Sequence, residues 1–152
     1  MDLNIGDAAP DINAPGTSGD IKLADLAGKS VVLYFYPKDD TSGCTAEAQA
    51  FSDLIDEFAK ANAVVLGVSK DTLKKHEKFI EKYDLKVALL SAAENDLVER
   101  YGAWVEKSMY GRKYMGIDRS TFVIGPDGLL KAIWRKVKVP GHAQAVLNSL
   151  KA

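Results

Sequence analysis

The chain contains one cysteine, Cys44, inside the stretch YPKDDTSGCTAEAQAF at positions 36 to 51. Pro37, Asp39, Asp40, Ser42 and Gly43 precede it. Such a turn does not resemble a core environment, so the thiol is expected in a polar, partly exposed pocket. The reactive form is the thiolate, and an ordinary cysteine with a pKa near ~8.5 is only a few per cent ionised at neutrality. Thr41 or Ser42 is suited to cap a helix that starts here. Cys44 then falls in the first turn, beside free backbone N–H groups and the positive end of the helix dipole. That dipole is worth about 0.3 to 2 kcal/mol, which lowers a pKa by at most about 1.5. A mostly ionised thiol therefore needs a cation as well. Arg119, at the start of the run RSTFVI, is the best candidate, because a guanidinium stays charged and donates several hydrogen bonds. A lone cysteine also fits the role of a small buried apolar residue; the polar turn favours chemistry.

The elements that must position these groups are legible as periodicities. SVVLYFY (residues 30 to 36) is a continuous apolar run of the kind buried on both faces of a parallel sheet, and Pro37 ends it. Residues 45 to 61 read as one helix, with Ala48, Phe51, Leu54, Ile55 and Phe58 on one face. AVVLGVS is a second strand, followed by a helix over residues 71 to 83 with Asp71 as its N-cap. KVALL is a third strand and ENDLVERYGA a short helix. After a less regular stretch, RSTFVIGPDGLLKAIWR forms two apolar runs around Gly-Pro-Asp-Gly, a hairpin signal. The last helix covers roughly residues 141 to 150, and a small hairpin around PGTSG opens the chain. Alternating units followed by an antiparallel pair predict an α/β protein, with a mixed central sheet flanked by helices. That order fits a thioredoxin-like fold, with other α/β sandwiches open on periodicity alone.

The 152 residues favour one domain spanning 1 to 152. A formal net charge of −1 points to no nucleic acid and no membrane as partner. RKVKV at residues 135 to 139 reads as a solvated strand end. No apolar run approaches the ~18 residues of a membrane span, and the beginning does not read as a signal peptide. One cysteine fits a reducing compartment, so a cytoplasmic location is expected. His76 and His142 read as histidines satisfied within the fold, and with Cys44 they lack metal-ligand spacing. There is no nucleotide-binding glycine motif. No metal and no organic cofactor is therefore expected. A cysteine hydrolase built on a Cys–His pair is a formal alternative that the turn and Arg119 do not favour.

Pro37, Thr41 and Cys44 reproduce the proline–three residues–threonine–two residues–cysteine signature of peroxiredoxins. FYPKDDTSGCTAEAQAF resembles the Q-type, or bacterioferritin-comigratory-protein, branch. YGAWVEKSMYGRKYMGIDRSTFVIGPDG and VKVPGHAQAVLNSL are similar to later segments of that family. The resemblance covers nearly the whole chain. It implies a thioredoxin-like fold and thiol-dependent reduction of hydrogen peroxide and organic hydroperoxides in antioxidant defence. By that match Cys44 is the peroxidatic cysteine, the Thr41 hydroxyl bonds the sulfur and the peroxide, Arg119 stabilises the thiolate, and Pro37 shapes the pocket and excludes water. Glu47 either orients Arg119 or is a solvated acid favoured by the helix dipole. The Trp104, Met109, Tyr110 and Met115 stretch either lies near the pocket mouth or serves ordinary packing.

The chain departs from the resemblance at one point. Members of this branch commonly carry a resolving cysteine, at positions that here hold Gln49 and Ile80. With one cysteine no intramolecular disulfide forms, so a sulfenic acid must be reduced by an external thiol: thioredoxin, glutaredoxin or a small thiol. A monomer or weak dimer is expected. A thiol-based sensor is the alternative of another class; it would oxidise once without turnover.

Overall fold

A computed structural model describes residues 3–151. The central strand is β3 (Ser30–Phe35), the apolar run that precedes Pro37. It follows the hairpin of β1 (Asn13–Ala14) and β2 (Ile21–Lys22) and a single 3-10 turn at Leu23–Leu26. Helix α1 (Ser42–Asp53) and helix α2 (Ile55–Lys60) lead to β4 (Ala63–Ser69). Helix α3 (Leu73–Tyr83), β5 (Ala88–Ser91) and α4 (Leu97–Arg100) come next. Strands β6 (Trp104–Met109) and β7 (Arg112–Ile117) pair with each other, β8 (Ser120–Ile124) and β9 (Leu130–Trp134) form the second hairpin, and α5 (His142–Lys151) closes the chain.

The five-stranded sheet runs β5-β4-β3-β8-β9. β3, β4 and β5 are parallel, while β8 is antiparallel to both β3 and β9. The expected mixed sheet is present. Side chains alternate across it, as a strand requires. Val31, Leu33 and Phe35 enter a core with Leu97, Val98 and Tyr101 of the α4 side. Val32, Tyr34 and Tyr36 enter the opposite core, with Phe51 of α1, Phe58 of α2, Phe79 of α3 and Val146 of α5. Among the described residues no helix is long and apolar enough to cross a membrane.

Three expectations change. The single helix over residues 45 to 61 is two helices, broken at Leu54 (φ −102°, ψ 8°). The apolar period continues through the break because Phe51 and Phe58 remain in contact, ring centroids 5.8 Å apart. The N-cap of α3 is Thr72, whose Oγ1 accepts from Lys75 N–H, and not Asp71. The stretch read as irregular is the β6–β7 arm. Its turn is Tyr110-Gly111, with φ of 52° and 78°. Two positive φ values are what a tight hairpin turn needs, and a tyrosine at the first of them conceals the signal.

Candidate active site

Antiparallel pairing decides where the key cation lies. Phe35, the last residue of β3, pairs with Ser120, the first of β8. Arg119 is thereby delivered to the sheet end from which the chain leaves for α1. Its Nη2 donates to Cys44 Sγ at 3.3 Å and its Nη1 donates to Glu47 Oε1 at 2.7 Å. The fold thus brings Cys44 and Arg119, the expected thiol and cation, together across 75 residues of chain.

The surroundings of the sulfur differ from expectation. Cys44 is 1% exposed, so the expected partly exposed pocket is not found. Helix α1 rolls its first turn inward, and Cys44 packs in the cluster of Val32, Tyr34, Tyr36, Ala48 and Phe51. The polar face of the sulfur's environment is supplied by Arg119. Gly43 permits this approach, since a Cβ there would lie 3.3 Å from Arg119 Nη2. The hydrogen bond from Thr45 N–H to Thr41 O opens the helical ladder. The N–H groups of Ser42, Gly43 and Cys44 therefore precede it, at the positive end of the helix.

Thr41 is the N-cap residue by backbone (φ −88°, ψ 157°), but its side chain makes no cap bond. Its hydroxyl donates to Lys38 O at 3.0 Å. Pro37 and Thr41 are both exposed, on the outer side of the loop that leads to the thiol. Glu47, by contrast, is 1% exposed, which removes its reading as a solvated acid. It holds Arg119 through one oxygen, while Oε2 has no hydrogen-bond partner in the protein. Burial pushes its carboxyl up to about 7, against the pull of Arg119. Burial also disfavours the Arg119 charge, but Glu47 and Cys44 outweigh it and raise its pKa.

The two histidines are bound within the fold. His142 Nε2 and Thr121 Oγ1 are 2.7 Å apart, and the ring packs edge-on against Phe51 and Trp134. Burial, with Arg119 second, pushes it down to about 4. His76 is fully buried, deeper than its helix face alone implies, and lies 2.7 Å from Asp39 in the loop before Cys44. Nothing in the sequence pairs these two residues; the only signal is that a histidine on an apolar face needs a partner. Met109, Tyr110, Tyr114 and Met115 are all exposed on the β6–β7 arm, so ordinary core packing is not their role. Trp104 is partly buried, with Lys70 Nζ 4.1 Å above its ring. Gln49 is exposed beside a groove of about 710 Å³ between the α1–α2 region and the end of α3, and Ile80 is partly buried on α3.

A thioredoxin-like sheet with a lone thiol under an arginine at its strand–helix junction defines a class, the thiol-dependent peroxidases. Residues 5–133 match the AhpC/TSA family. Peroxiredoxin Bcp of Bacillus subtilis is 48% identical over 152 residues, covering 99% of this chain and 97% of the relative. A solved structure of a cysteine-to-serine variant of peroxiredoxin Q from Xylella fastidiosa superposes with a TM-score of 0.93 at 40% identity, covering 99% of this chain and 97% of that one. A Xanthomonas campestris bacterioferritin comigratory protein, from a study of its alkyl peroxide reduction activity, gives 0.89 at 43% identity, covering 98% and 96%. The chain belongs to the AhpC/TSA family, as a peroxiredoxin of the Bcp, or Q, type. It is a thiol-dependent peroxidase, with a peroxide as substrate and a thiol as reductant.

Proposed function

We propose that Cys44 is the peroxidatic residue and that Arg119, Thr41 and Pro37 complete the site. The observation that carries this is the forked contact of Arg119, which holds Cys44 Sγ at 3.3 Å and Glu47 at 2.7 Å together. The Cys44 thiolate attacks the terminal oxygen of a hydroperoxide. An S–O bond forms, the O–O bond breaks, and the leaving oxygen takes a proton to depart as water or an alcohol. Sulfur loses two electrons and becomes a sulfenic acid. Arg119 and the first-turn N–H groups stabilise the charge that spreads along the breaking bond, as donors do in an oxyanion hole. Glu47 fixes the Arg119 fork. Thr41, whose one hydroxyl proton goes to Lys38 O in the resting site, turns it to the peroxide when substrate binds, and Pro37 shapes the loop.

Hydrogen peroxide and alkyl hydroperoxides are the substrates; the Xanthomonas relative's alkyl peroxide reduction supports the second. With one cysteine in the chain, an external thiol attacks the sulfenic sulfur, releases water and leaves a mixed disulfide that a second thiol reduces. Thioredoxin, glutaredoxin or a small thiol fills this role. The protein acts in the cytoplasm as a monomer or weak dimer, without metal or organic cofactor, nucleic acid or membrane.

The test is peroxide consumption by the reduced protein with dithiothreitol, thioredoxin or glutaredoxin as the thiol. Continued consumption, abolished in Cys44→Ser, is expected. Oxidation of Cys44 to one equivalent without further consumption would make the protein a sensor instead.

A further inference from the structure

The polar groups beneath the loop before Cys44 have a proton count that the geometry determines. His76 Nε2 lies 2.9 Å from Leu90 O, which only accepts, so Nε2 carries a hydrogen. His76 Nδ1 lies 2.7 Å from Asp39 Oδ2. The Tyr36 hydroxyl donates to Asp39 Oδ1 at 2.6 Å. An unprotonated ring nitrogen and a carboxylate oxygen would present only lone pairs to each other at that distance. A proton therefore lies between them.

Two neighbours of the pair, Tyr36 and Asp71, favour His76 as the holder of that proton. A short bond donated to a carboxylate favours its ionised form, and Asp39 Oδ1 receives one from Tyr36 whichever partner holds the shared proton. Asp71 adds a second carboxylate, and one ligand atom from each of Asp39, Asp71 and His76 falls within 4.8 Å of the others. Asp71 Oδ2 accepts from Ser69 Oγ at 2.6 Å and from Asp39 N–H at 2.8 Å. These oxygens and the ring nitrogens are thus committed to protons. Asp40, Lys38, Lys75, Lys78 and Lys82 stand on the outer rim of the same groove.

The loop's ties run to one element. Asp39 binds His76 by its side chain and Asp71 by its N–H, and Asp40 binds Lys82 and Tyr83. All four partners belong to α3 or its approach. Asp40 takes the left-handed turn of the loop with a φ of 63°, a conformation that aspartate tolerates better than most side chains. His76 in turn fastens α3 to β5 through Leu90.

We propose that Asp39, His76 and Tyr36 are positioning residues, whose buried imidazolium–carboxylate pair fastens the loop of Pro37 and Thr41 to α3 in the geometry that peroxide attack requires. The kinetic half of this rests on Cys44 being the reacting atom; the fastening does not.

The experiment uses the reduced full-length protein at pH 7. Nitrogen NMR of labelled histidine, with His76→Gln to assign the signals, is expected to show both His76 ring nitrogens protonated. Asp39→Asn keeps the size and cannot complete the charged pair. It is expected to lower the second-order rate of Cys44 oxidation by hydrogen peroxide about tenfold. It should also speed amide exchange of residues 38 to 44 about tenfold while β3 and β4 stay within about twofold. Should Asp39→Asn fail to fold, His76→Gln carries the same two readings. An unprotonated Nδ1, a rate within about twofold of wild type, or exchange raised equally across the sheet overturns the proposal. If wild type leaves peroxide untouched, the peroxidase reading falls, and the spectrum and exchange still decide the fastening.

Discussion

At the scale of single residues, the site depends on one cation serving two acceptors. Arg119 reaches Cys44 and Glu47 from different nitrogens of one rigid plane, and a lysine ammonium is a point charge that does not reproduce that fork. Arg119→Lys is therefore expected to keep the charge and lose the geometry. Removing one donor aimed at developing charge costs about 10²- to 10³-fold in comparable sites. A fall of about 10²-fold in the rate of Cys44 oxidation, followed by stopped-flow mixing with peroxide, is expected. A lysine variant as fast as wild type would show that charge alone suffices.

At the scale of elements, the thiol is held by the packing of α1 on the sheet. Tyr34 of β3 stacks on Phe51 of α1, ring centroids 4.6 Å apart at 19°. Room for that ring exists because β4 carries Gly67 beside it. A Cβ on Gly67 would stand 2.6 Å from Tyr34 Cζ, 2.7 Å from its hydroxyl oxygen and 2.8 Å from Leu89 Cδ2. Gly67→Ala must displace the ring or the strand, and overpacking of this kind costs about 1 to 3 kcal/mol. Urea unfolding monitors this loss directly. An unchanged midpoint would mean that Tyr34 yields without strain.

At the scale of the whole molecule, two buried groups near Arg119 give stability opposite pH trends. Burial pushes His142 down to about 4 from an ordinary 6.5. Its neutral ring is the form the fold accepts, so its contribution is complete above about pH 6.5 and is lost as pH falls through about 4. Burial pushes Glu47 up to about 7 from an ordinary 4.5. Its contribution is complete below about pH 4.5 and is lost as pH rises through about 7, a change of about 3 kcal/mol. The stability difference between wild type and Glu47→Gln, measured by denaturant unfolding, is thus expected to move against wild type between pH 4.5 and 7.5. For His142→Gln the difference should move against wild type as pH falls from 7 to 4. A pH-independent difference in either case would remove that group from the account.

Local pattern carried much of this protein. The apolar run of β3, the helical periods of α1 and α3, and the Gly-Pro-Asp-Gly turn each report burial or backbone geometry within a few residues. Periods of two and 3.6 are consequences of strand and helix geometry. The polar turn and its cysteine likewise pointed to a helix start. The helix break at Leu54 and the Tyr-Gly turn of the β6–β7 arm have only weak local signatures, and they were not legible. The burial of Cys44, the inward turn of Glu47 and the pairing of Asp39 with His76 belong to tertiary structure alone. Their partners lie 37 to 75 residues away along the chain. Sequence determined which segments form strands and helices and which residue types could do chemistry, because those follow from neighbours along the chain. Which of those residues meet was decided by the antiparallel pairing of β8 with β3 and the packing of α1 and α3, because only these bring distant side chains into one low-dielectric site.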